Sequence, residues 1–136
     1  NAVVEKAPLI IDVRPNSGGD ERQARQIAGF FTQANVDYQT VKPWQQGQAG
    51  EIYTKQLMPS EEKLFHTAPC VVLMGSENMS SCEAFLQMMR ACGVKLIGQT
   101  SRGTSGNPQP HELCADVKLY LPSWQVVNDS GEITEG

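Results

Sequence analysis

Hydrophobic positions early in the chain form first a continuous run and then a spaced pattern. Residues 8–14, PLIIDVR, are apolar and rich in β-branched side chains, which is typical of a buried strand. After a glycine-containing turn at residues 15–19, residues 20–34 carry apolar side chains at helical spacing, with Asp20 and Glu21 at the positive helix end. The apolar positions of this helix are Ala24, Ile27, Ala28 and Phe31. The pattern predicts a strand, a tight turn and an amphipathic helix.

The same order returns in the second half of the chain. Residues 69–75, PCVVLMG, form another buried run, residues 75–80 a turn, and residues 81–93 a helical pattern that stops at Gly93. The apolar face of this helix comprises Cys82, Phe85, Leu86 and Met89. Residues 94–98, VKLIG, predict a third buried strand.

The segment between these two units is more polar. Residues 37–44, DYQTVKPW, predict a strand, and the glycine-bearing residues 45–51 predict a loop. Residues 60–66, SEEKLFH, predict a short helix with Ser60 as its N-terminal cap.

Alternation of buried strands and helices predicts the α/β fold class, with a largely parallel sheet flanked by helices. Residues 116–122 and 124–129 alternate apolar and polar positions and predict strands near an edge. Ligand sites of parallel sheets lie at the carboxyl ends of the strands. The turns at 15–19, 75–80 and 98–110 all follow predicted strands, so we expect them to meet at one crevice.

Composition limits the classes of function. The chain has 136 residues and a net charge of -4, without a basic stripe that interleaves aromatics, so we expect no nucleic-acid partner. It has no apolar run of the roughly 20 residues that a membrane span needs. The four cysteines form no CxxC pair and are interpreted as small buried hydrophobes, so we expect neither a metal nor a cofactor.

The chain begins with Asn1 and Ala2 rather than with methionine. We interpret residues 1–7 as a tag scar and lead-in, and residues 8–136 as one domain that is a fragment of a longer chain.

Ser80 and Ser81 stand at the junction between the second turn and its helix. Residues 80–83, SSCE, match the capping-box pattern S-x-x-E, in which Ser80 caps the helix and Glu83 reaches back to the backbone. That pattern explains both residues without catalysis. A helix N-terminus, however, also offers free backbone N–H groups in positive potential, and these can hold an oxyanion. Ser80 can therefore be a cap and a nucleophile at once.

The first turn, NSGG at residues 16–19, is a second source of backbone donors. Gly18 and Gly19 carry no side chain, so the backbone can approach another group closely. An ordinary strand-to-helix turn is the simpler interpretation. The chain contains neither the G-x-x-x-x-G-K pattern of a phosphate loop nor the G-x-S-x-G pattern of α/β-hydrolases.

Four motifs occur in order along the chain: LIIDVRPNSGGD, VVLMGSENMSSCEAF, KLIGQTSRGTSG and LYLPSWQVVNDSGEITEG. Together they resemble the catalytic domain of the C-terminal processing (tail-specific) serine peptidases and their tricorn-like relatives, over about residues 8–136. The resemblance implies a ClpP/crotonase-like fold and a protein or peptide substrate. It also implies an upstream PDZ module and a periplasmic or other extracytoplasmic location.

The resemblance assigns roles to individual residues. Ser80, three residues before the helix acid Glu83, corresponds to the nucleophile. The backbone N–H groups of Gly19 and Ser81 correspond to the oxyanion donors. This assignment agrees with two turns that meet at one crevice.

A serine hydroxyl needs a base to become a good nucleophile. The processing peptidases resemble one another in placing a lysine in the loop after the third strand, at about Thr104 here, but the chain has no lysine between Lys95 and Lys118. Arg102 is no substitute, because its guanidinium stays protonated.

The tricorn-like relatives imply a different base, a histidine from a segment upstream of this chain, with a glutamate near the final EG. Glu135 is the match for that glutamate, with Glu132 as its neighbour. On this interpretation the isolated chain is inactive. His111 is the alternative base within the chain, although a surface histidine is the simpler interpretation, and His66 is interpreted as a loop or helix-end residue.

Two other functions stay open. A non-catalytic module that binds a peptide or an apolar ligand on the same fold would explain the missing base. An acyl-CoA enzyme of the crotonase type would use backbone amides for a thioester oxyanion and would need no serine.

Overall fold

The computed structural model describes residues 7–45, 47–62, 64–128 and 130–134. In chain order, its elements are β1 (Leu9–Asp12), α1 (Glu21–Ala28), β2 (Val36–Gln45), β3 (Gln48–Ala49), β4 (Tyr53–Leu57), β5 (Cys70–Met74), α2 (Ser81–Ala91), β6 (Lys95–Gly98), β7 (Gln109–Cys114), β8 (Val117–Leu121) and β9 (Trp124–Val127). A single 3₁₀ turn at Gly29–Phe31 extends α1. Residues 1–6, on which the tag-scar interpretation rests, lie outside the described residues.

The predicted parallel sheet is present, with strand order β1-β5-β6. Its register places Ile11 beside Val72 and Val72 beside Leu96, so the apolar runs seen in the sequence lie side by side. Because parallel strands end at the same edge of a sheet, the turns after β1, β5 and β6 leave from one edge.

Antiparallel pairing accounts for the rest of the described strands. Strand β2 pairs antiparallel with β3, β4 and β9, and β7 pairs antiparallel with β8. The fold is therefore mixed α/β, and the expectation of a largely parallel sheet is met only in part. Short connections such as those between β2 and β3 and between β7 and β8 suit hairpins, whereas parallel neighbours need a longer crossover.

Several local predictions were incomplete or wrong. Strands β1 and β6, predicted to be buried, are mostly exposed. The predicted loop at residues 45–51 contains β3. Strand β4 was not predicted, because the polar Lys55 occupies an inward-facing position of its alternating pattern. Strand β7 begins inside the segment predicted to be a loop, where Pro110 argued against a strand. The predicted helix at residues 60–66 is wrong, since its described residues contain a turn and no helix, with Ser60 Oγ accepting the Glu62 N–H at 3.3 Å.

Helix α2 forms the centre of the core and packs against α1, β2, β5 and β6. Its predicted apolar face is buried, which confirms the interpretation of the helical spacing. That face comprises Cys82, Phe85, Leu86 and Met89.

Ile27 of α1 differs from expectation, because it is 51% exposed and borders an open groove with Phe30 and Met58. Within the described ranges, no helix has the length and apolar character needed to cross a bilayer.

Candidate functional site

Ser80 lies immediately before α2 in a conformation that serine rarely adopts, with φ 55° and ψ -129°. A positive φ strains a residue that carries a Cβ, and such strain persists only where surrounding contacts enforce it. Two backbone contacts do so here, because the Ser80 N–H donates to the Thr104 carbonyl at 2.7 Å and to Glu83 Oε2 at 3.2 Å. The capping box that the sequence predicts is present at the start of α2, with Ser80 at the N-cap position and Glu83 reaching back to the Ser80 N–H.

The NSGG turn packs directly on Ser80. Gly18 has φ +108°, and a Cβ added there would lie 2.8 Å from the Met79 carbonyl oxygen and 2.9 Å from Ser80 Cβ. Only glycine fits such an approach without displacing the turn that carries Ser80. This contact explains why a residue without a side chain occupies position 18.

The two predicted oxyanion donors lie together. Gly19 and Ser81 line one cavity of about 190 Å³ at the N-terminus of α2. Within the described residues, neither backbone N–H donates a hydrogen bond. The apolar wall of this cavity comprises Ile11, Val13, Ala24, Ile27 and Phe85. Free donors beside an apolar wall suit a carbonyl oxygen flanked by an apolar group.

The loop after β6 closes the site from the other side. Thr104 accepts the Ser80 N–H, and Gly103 donates its N–H to Glu83 Oε1 at 2.7 Å. The Arg102 N–H donates to the Asn78 carbonyl at 2.8 Å. The three turns therefore meet at one edge of the parallel sheet, as the sequence predicts.

Glu83 does more than the capping pattern indicated. Its side chain is buried, and its two carboxylate oxygens accept N–H groups from Ser80 and from Gly103. One carboxylate thus ties Ser80 to the third turn. The S-x-x-E pattern signalled the first of these bonds, but no local pattern signals the second, which spans 20 residues.

Asn78 is a residue of the site that sequence reasoning missed. Its side chain is fully buried, and its carboxamide bonds to the first turn and to Gly75 of its own turn. A lone asparagine in a turn gives no periodic signal, so the sequence offered nothing that distinguished it from an ordinary turn former.

Burial makes three of the four cysteines poor nucleophiles. Burial, with a smaller effect of the Glu83 charge, raises the pKa of Cys82 to about 11, so its thiol stays protonated near neutral pH. Burial also raises the pKa of Cys70 and of Cys92. Cys114 is exposed, unlike the buried position expected of it.

The described part of the chain holds no cluster of three or more side chains able to ligate a metal.

The two histidines that the sequence offers as candidate bases lie apart from Ser80. His111 stands on β7, exposed, and lines a different cavity together with Trp44 and Leu121. His66 stacks near Phe31, with the ring centres 5.2 Å apart. The structure brings neither histidine to the cavity that Gly19 and Ser81 line.

The acidic candidates lie near the end of the chain. Glu132 is exposed and accepts a hydrogen bond from the Asn128 amide at 2.9 Å. Glu135 lies outside the described residues. Thr134, the residue before it, lines a cavity of about 370 Å³ together with Glu83 and Gly103.

Solved structures share this fold at low sequence identity. A candidate peptidase from Parabacteroides merdae ATCC 43184 is 24% identical with a TM-score of 0.79, and the match covers 94% of this chain and 42% of that one. Mature CPAF complexed with lactacystin is 13% identical with a TM-score of 0.76, covering 94% and 37%. The photosystem II D1 C-terminal processing protease is 17% identical with a TM-score of 0.63, covering 93% and 31%.

The chain thus spans less than half the length of these three structures. No curated protein sequence matches it. The sequence model of peptidase family S41 matches residues 3–136, nearly the whole chain. This chain belongs to peptidase family S41.

Proposed function

We propose that residues 8–136 are the catalytic domain of a serine endopeptidase of the C-terminal processing or tricorn-like class, with a ClpP/crotonase-like fold. One observation carries the proposal: a strained Ser80 packs against the turn whose Gly19 amide lines the same cavity as the Ser81 amide. Membership of peptidase family S41 supports a protein or peptide as the substrate.

The chemistry follows from that arrangement. Ser80 Oγ attacks the carbonyl carbon of a peptide bond and gives up its proton to a base. The carbonyl oxygen becomes an oxyanion that accepts hydrogen bonds from the Gly19 and Ser81 N–H groups. Collapse of the tetrahedral intermediate expels the protonated amine and leaves an acyl-enzyme, which water hydrolyses. Loss of one such donor typically costs about 10²–10³ in rate.

We propose that the base lies outside the described residues, as a histidine from an upstream segment that Glu135 orients. The absence of a lysine between Lys95 and Lys118 supports this, since a Ser–Lys pair is then not formed by that loop. The position of Thr134 beside Glu83 and Gly103 is also compatible with a role for the next residue. An upstream PDZ module would select the substrate.

A serine-directed fluorophosphonate tests the nucleophile in the full-length protein. We expect labelling of the wild type and no labelling of Ser80→Ala. Ser81→Ala is the matched control, because it removes a neighbouring hydroxyl but keeps the backbone N–H of the oxyanion site. Labelling that persists in Ser80→Ala, or disappears only in Ser81→Ala, would contradict the assignment.

Cleavage of an unstructured protein such as casein by the 136-residue chain alone tests the location of the base. We expect no cleavage above background, because the base is absent. Robust cleavage that Ser80→Ala abolishes would overturn this expectation and point to His111, whose replacement by alanine would then abolish the activity as well.

A non-catalytic binding module for a peptide or an apolar ligand is the second candidate function. Among the described residues, neither histidine lines the Gly19 and Ser81 cavity, and this favours the binding module. In the fluorophosphonate experiment, no labelling of a folded full-length protein would support this function over the peptidase.

A further inference from the structure

We infer that Asn78 is a positioning residue for the proposed peptidase reaction: its buried carboxamide holds the turn that carries one oxyanion donor against the turn that carries the nucleophile. The inference rests on the proposed function, because it concerns the geometry of the oxyanion site. It assigns a role to a residue that neither touches the substrate nor follows from the capping pattern.

The carboxamide uses both of its polar atoms on backbone groups. Nδ2 donates to the carbonyl oxygens of Val13, of Arg14 at 3.3 Å and of Asn16 at 3.1 Å. Oδ1 accepts the Gly75 N–H at 2.8 Å. The side chain is fully buried, so water does not replace these bonds.

The backbone of the same residue reaches the third turn. The Asn78 carbonyl accepts the Arg102 N–H at 2.8 Å, and its N–H donates to the Gly75 carbonyl at 3.0 Å. Residue 78 therefore joins all three turns at a point two residues before Ser80. Among the described residues, no other side chain forms a hydrogen bond between the first turn and the nucleophile turn.

A short series of contacts carries this constraint to the oxyanion donor. Asn78 fixes the carbonyl of Asn16, and Asn16 Oδ1 accepts the Gly18 N–H at 2.8 Å. Gly18 lies against Ser80 and precedes Gly19. A displaced first turn would move the Gly19 N–H away from the oxyanion while Ser81 kept its place on α2.

Glu83 provides the contrast, since it ties Ser80 to Gly103 and makes no bond to the first turn. Loss of the Asn78 donors is thus expected to act on transition-state stabilisation through Gly19, rather than on the nucleophile or on initial binding. In a labelling reaction, the maximal rate constant falls while the half-saturating concentration of the reagent changes little.

The experiment measures fluorophosphonate labelling of the full-length protein as a function of reagent concentration and pH. Asn78→Asp is the main variant, because aspartate keeps the shape and the acceptor for Gly75 but removes the donors. We expect its maximal labelling rate constant to fall by about 10-fold to 10²-fold, as misplacement of a reacting group does. The pH profile should keep its midpoint, because the base is untouched.

Leu57→Ala is the stability control, since Leu57 is a fully buried residue of β4 and lies outside the three turns in sequence. It should lower the melting temperature and leave the maximal rate constant unchanged. Asn16→Ala is a milder second variant at an exposed position. We expect its maximal labelling rate constant to fall by about threefold or more, because it loses the bond to the Gly18 N–H.

The outcomes are distinguishable. Wild-type rate constants in folded Asn78→Asp and Asn16→Ala would overturn the inference and leave the peptidase proposal standing. If the maximal rate constant fell as much in Leu57→Ala as in Asn78→Asp, the inference would also be overturned, because reduced stability alone would then explain the effect. If Asn78→Asp fails to fold, the Asn16→Ala rate constant decides. A wild type that is not labelled would defeat the proposed function and this inference together.

Discussion

Asn78 lies where the three turns meet, here called the turn cluster, and Gln39 lies in the antiparallel sheet of β2, β3, β4 and β9. Both are buried carboxamides, at 0% and 5% exposure. Every polar atom of the Asn78 side chain has a backbone partner, and the bonds link separate parts of the chain. Within the described residues, neither Nε2 nor Oε1 of Gln39 has a partner. A satisfied buried amide fixes the position of its neighbours, whereas an unsatisfied one lowers stability without fixing anything.

The surroundings of Gln39 extend the contrast. Its partner in the β2–β4 register is Lys55, which is buried, donates to Glu21 Oε2 at 3.0 Å and lies 3.9 Å from the centre of the Trp124 ring. The Trp124 indole N–H, like the Gln39 amide, lacks an acceptor in the described part of the chain. Polar hydrogen bonds thus hold the turn cluster together. The sheet interior around Gln39 instead contains the Lys55–Glu21 ion pair and polar groups without hydrogen bonds.

Replacement of Asn78 by aspartate should produce the largest loss of stability. The carboxylate would face three carbonyl oxygens without a proton to donate, so we expect the free energy of unfolding to fall by on the order of 3 kcal/mol at pH 7. Urea denaturation measures the change. Asn35→Asp is the control, because Asn35 is exposed and the change should shift stability by less than about 0.5 kcal/mol. Equal effects of the two variants would remove the contrast between the turn cluster and an ordinary surface turn.

Lys55→Met should have the next largest effect. Methionine fills the space of the aliphatic stem but leaves the Glu21 carboxylate without its buried cation, although Arg25 and Tyr38 still bond to it. We therefore expect a loss of about 2 kcal/mol, below the full effect of stranding a buried charge. Lys95→Met, at an exposed position of β6, is the control. Unchanged or higher stability of Lys55→Met in urea would mean that the sheet interior does not depend on its ion pair.

Acid should weaken the Lys55 region through Glu21. Burial alone would raise the pKa of Glu21, but hydrogen bonds from Tyr38 and Lys55 and the Lys55 charge outweigh it and hold the pKa below its ordinary value of 4.5. Because the folded pKa is lowered, ionised Glu21 stabilises the protein above pH 4.5, and this contribution is lost as the pH falls through the folded pKa.

Glu21→Gln should therefore flatten the dependence of stability on pH below pH 4.5. The measurement is a series of urea midpoints from neutral to acid pH, in which the midpoint of Glu21→Gln should change less than that of wild type as the pH falls below 4.5. Parallel pH profiles for wild type and Glu21→Gln would show that the carboxylate contributes nothing through its charge.

The parts of the fold that the sequence predicted are those with regular spacing. The runs that became β1 and β5 are continuous and apolar, and the α2 face repeats at helical spacing, so local pattern was sufficient. Strand β4 carries Lys55 inward because Glu21, 34 residues away, compensates its charge. No local pattern reveals such compensation.

The candidate site also has one part that the sequence predicts and another that depends on tertiary contacts. Ser80, Ser81 and Gly19 could be proposed from a capping pattern, a glycine turn and a family resemblance, all of which are local. The strained φ of Ser80 depends on its bond to Thr104 in the third turn, and the bonds of Asn78 join turns more than 60 residues apart in sequence. Asparagine at position 78 is compatible with many turns, so its role follows from tertiary contacts alone.

Gln39→Met should give the smallest effect and the opposite sign. Methionine has a similar length and no polar atom to desolvate, so removal of an unbonded buried amide should raise the free energy of unfolding by up to about 1 kcal/mol. Gln56→Met on the neighbouring strand is the matched control, because Gln56 is exposed and its amide donates to Asp37 at 2.7 Å. That variant should be neutral or slightly destabilising in the same urea titration. If Gln39→Met lost more stability than Gln56→Met, the Gln39 amide would have a bonding role. Polar hydrogen bonds would then hold the sheet interior together, as they hold the turn cluster together.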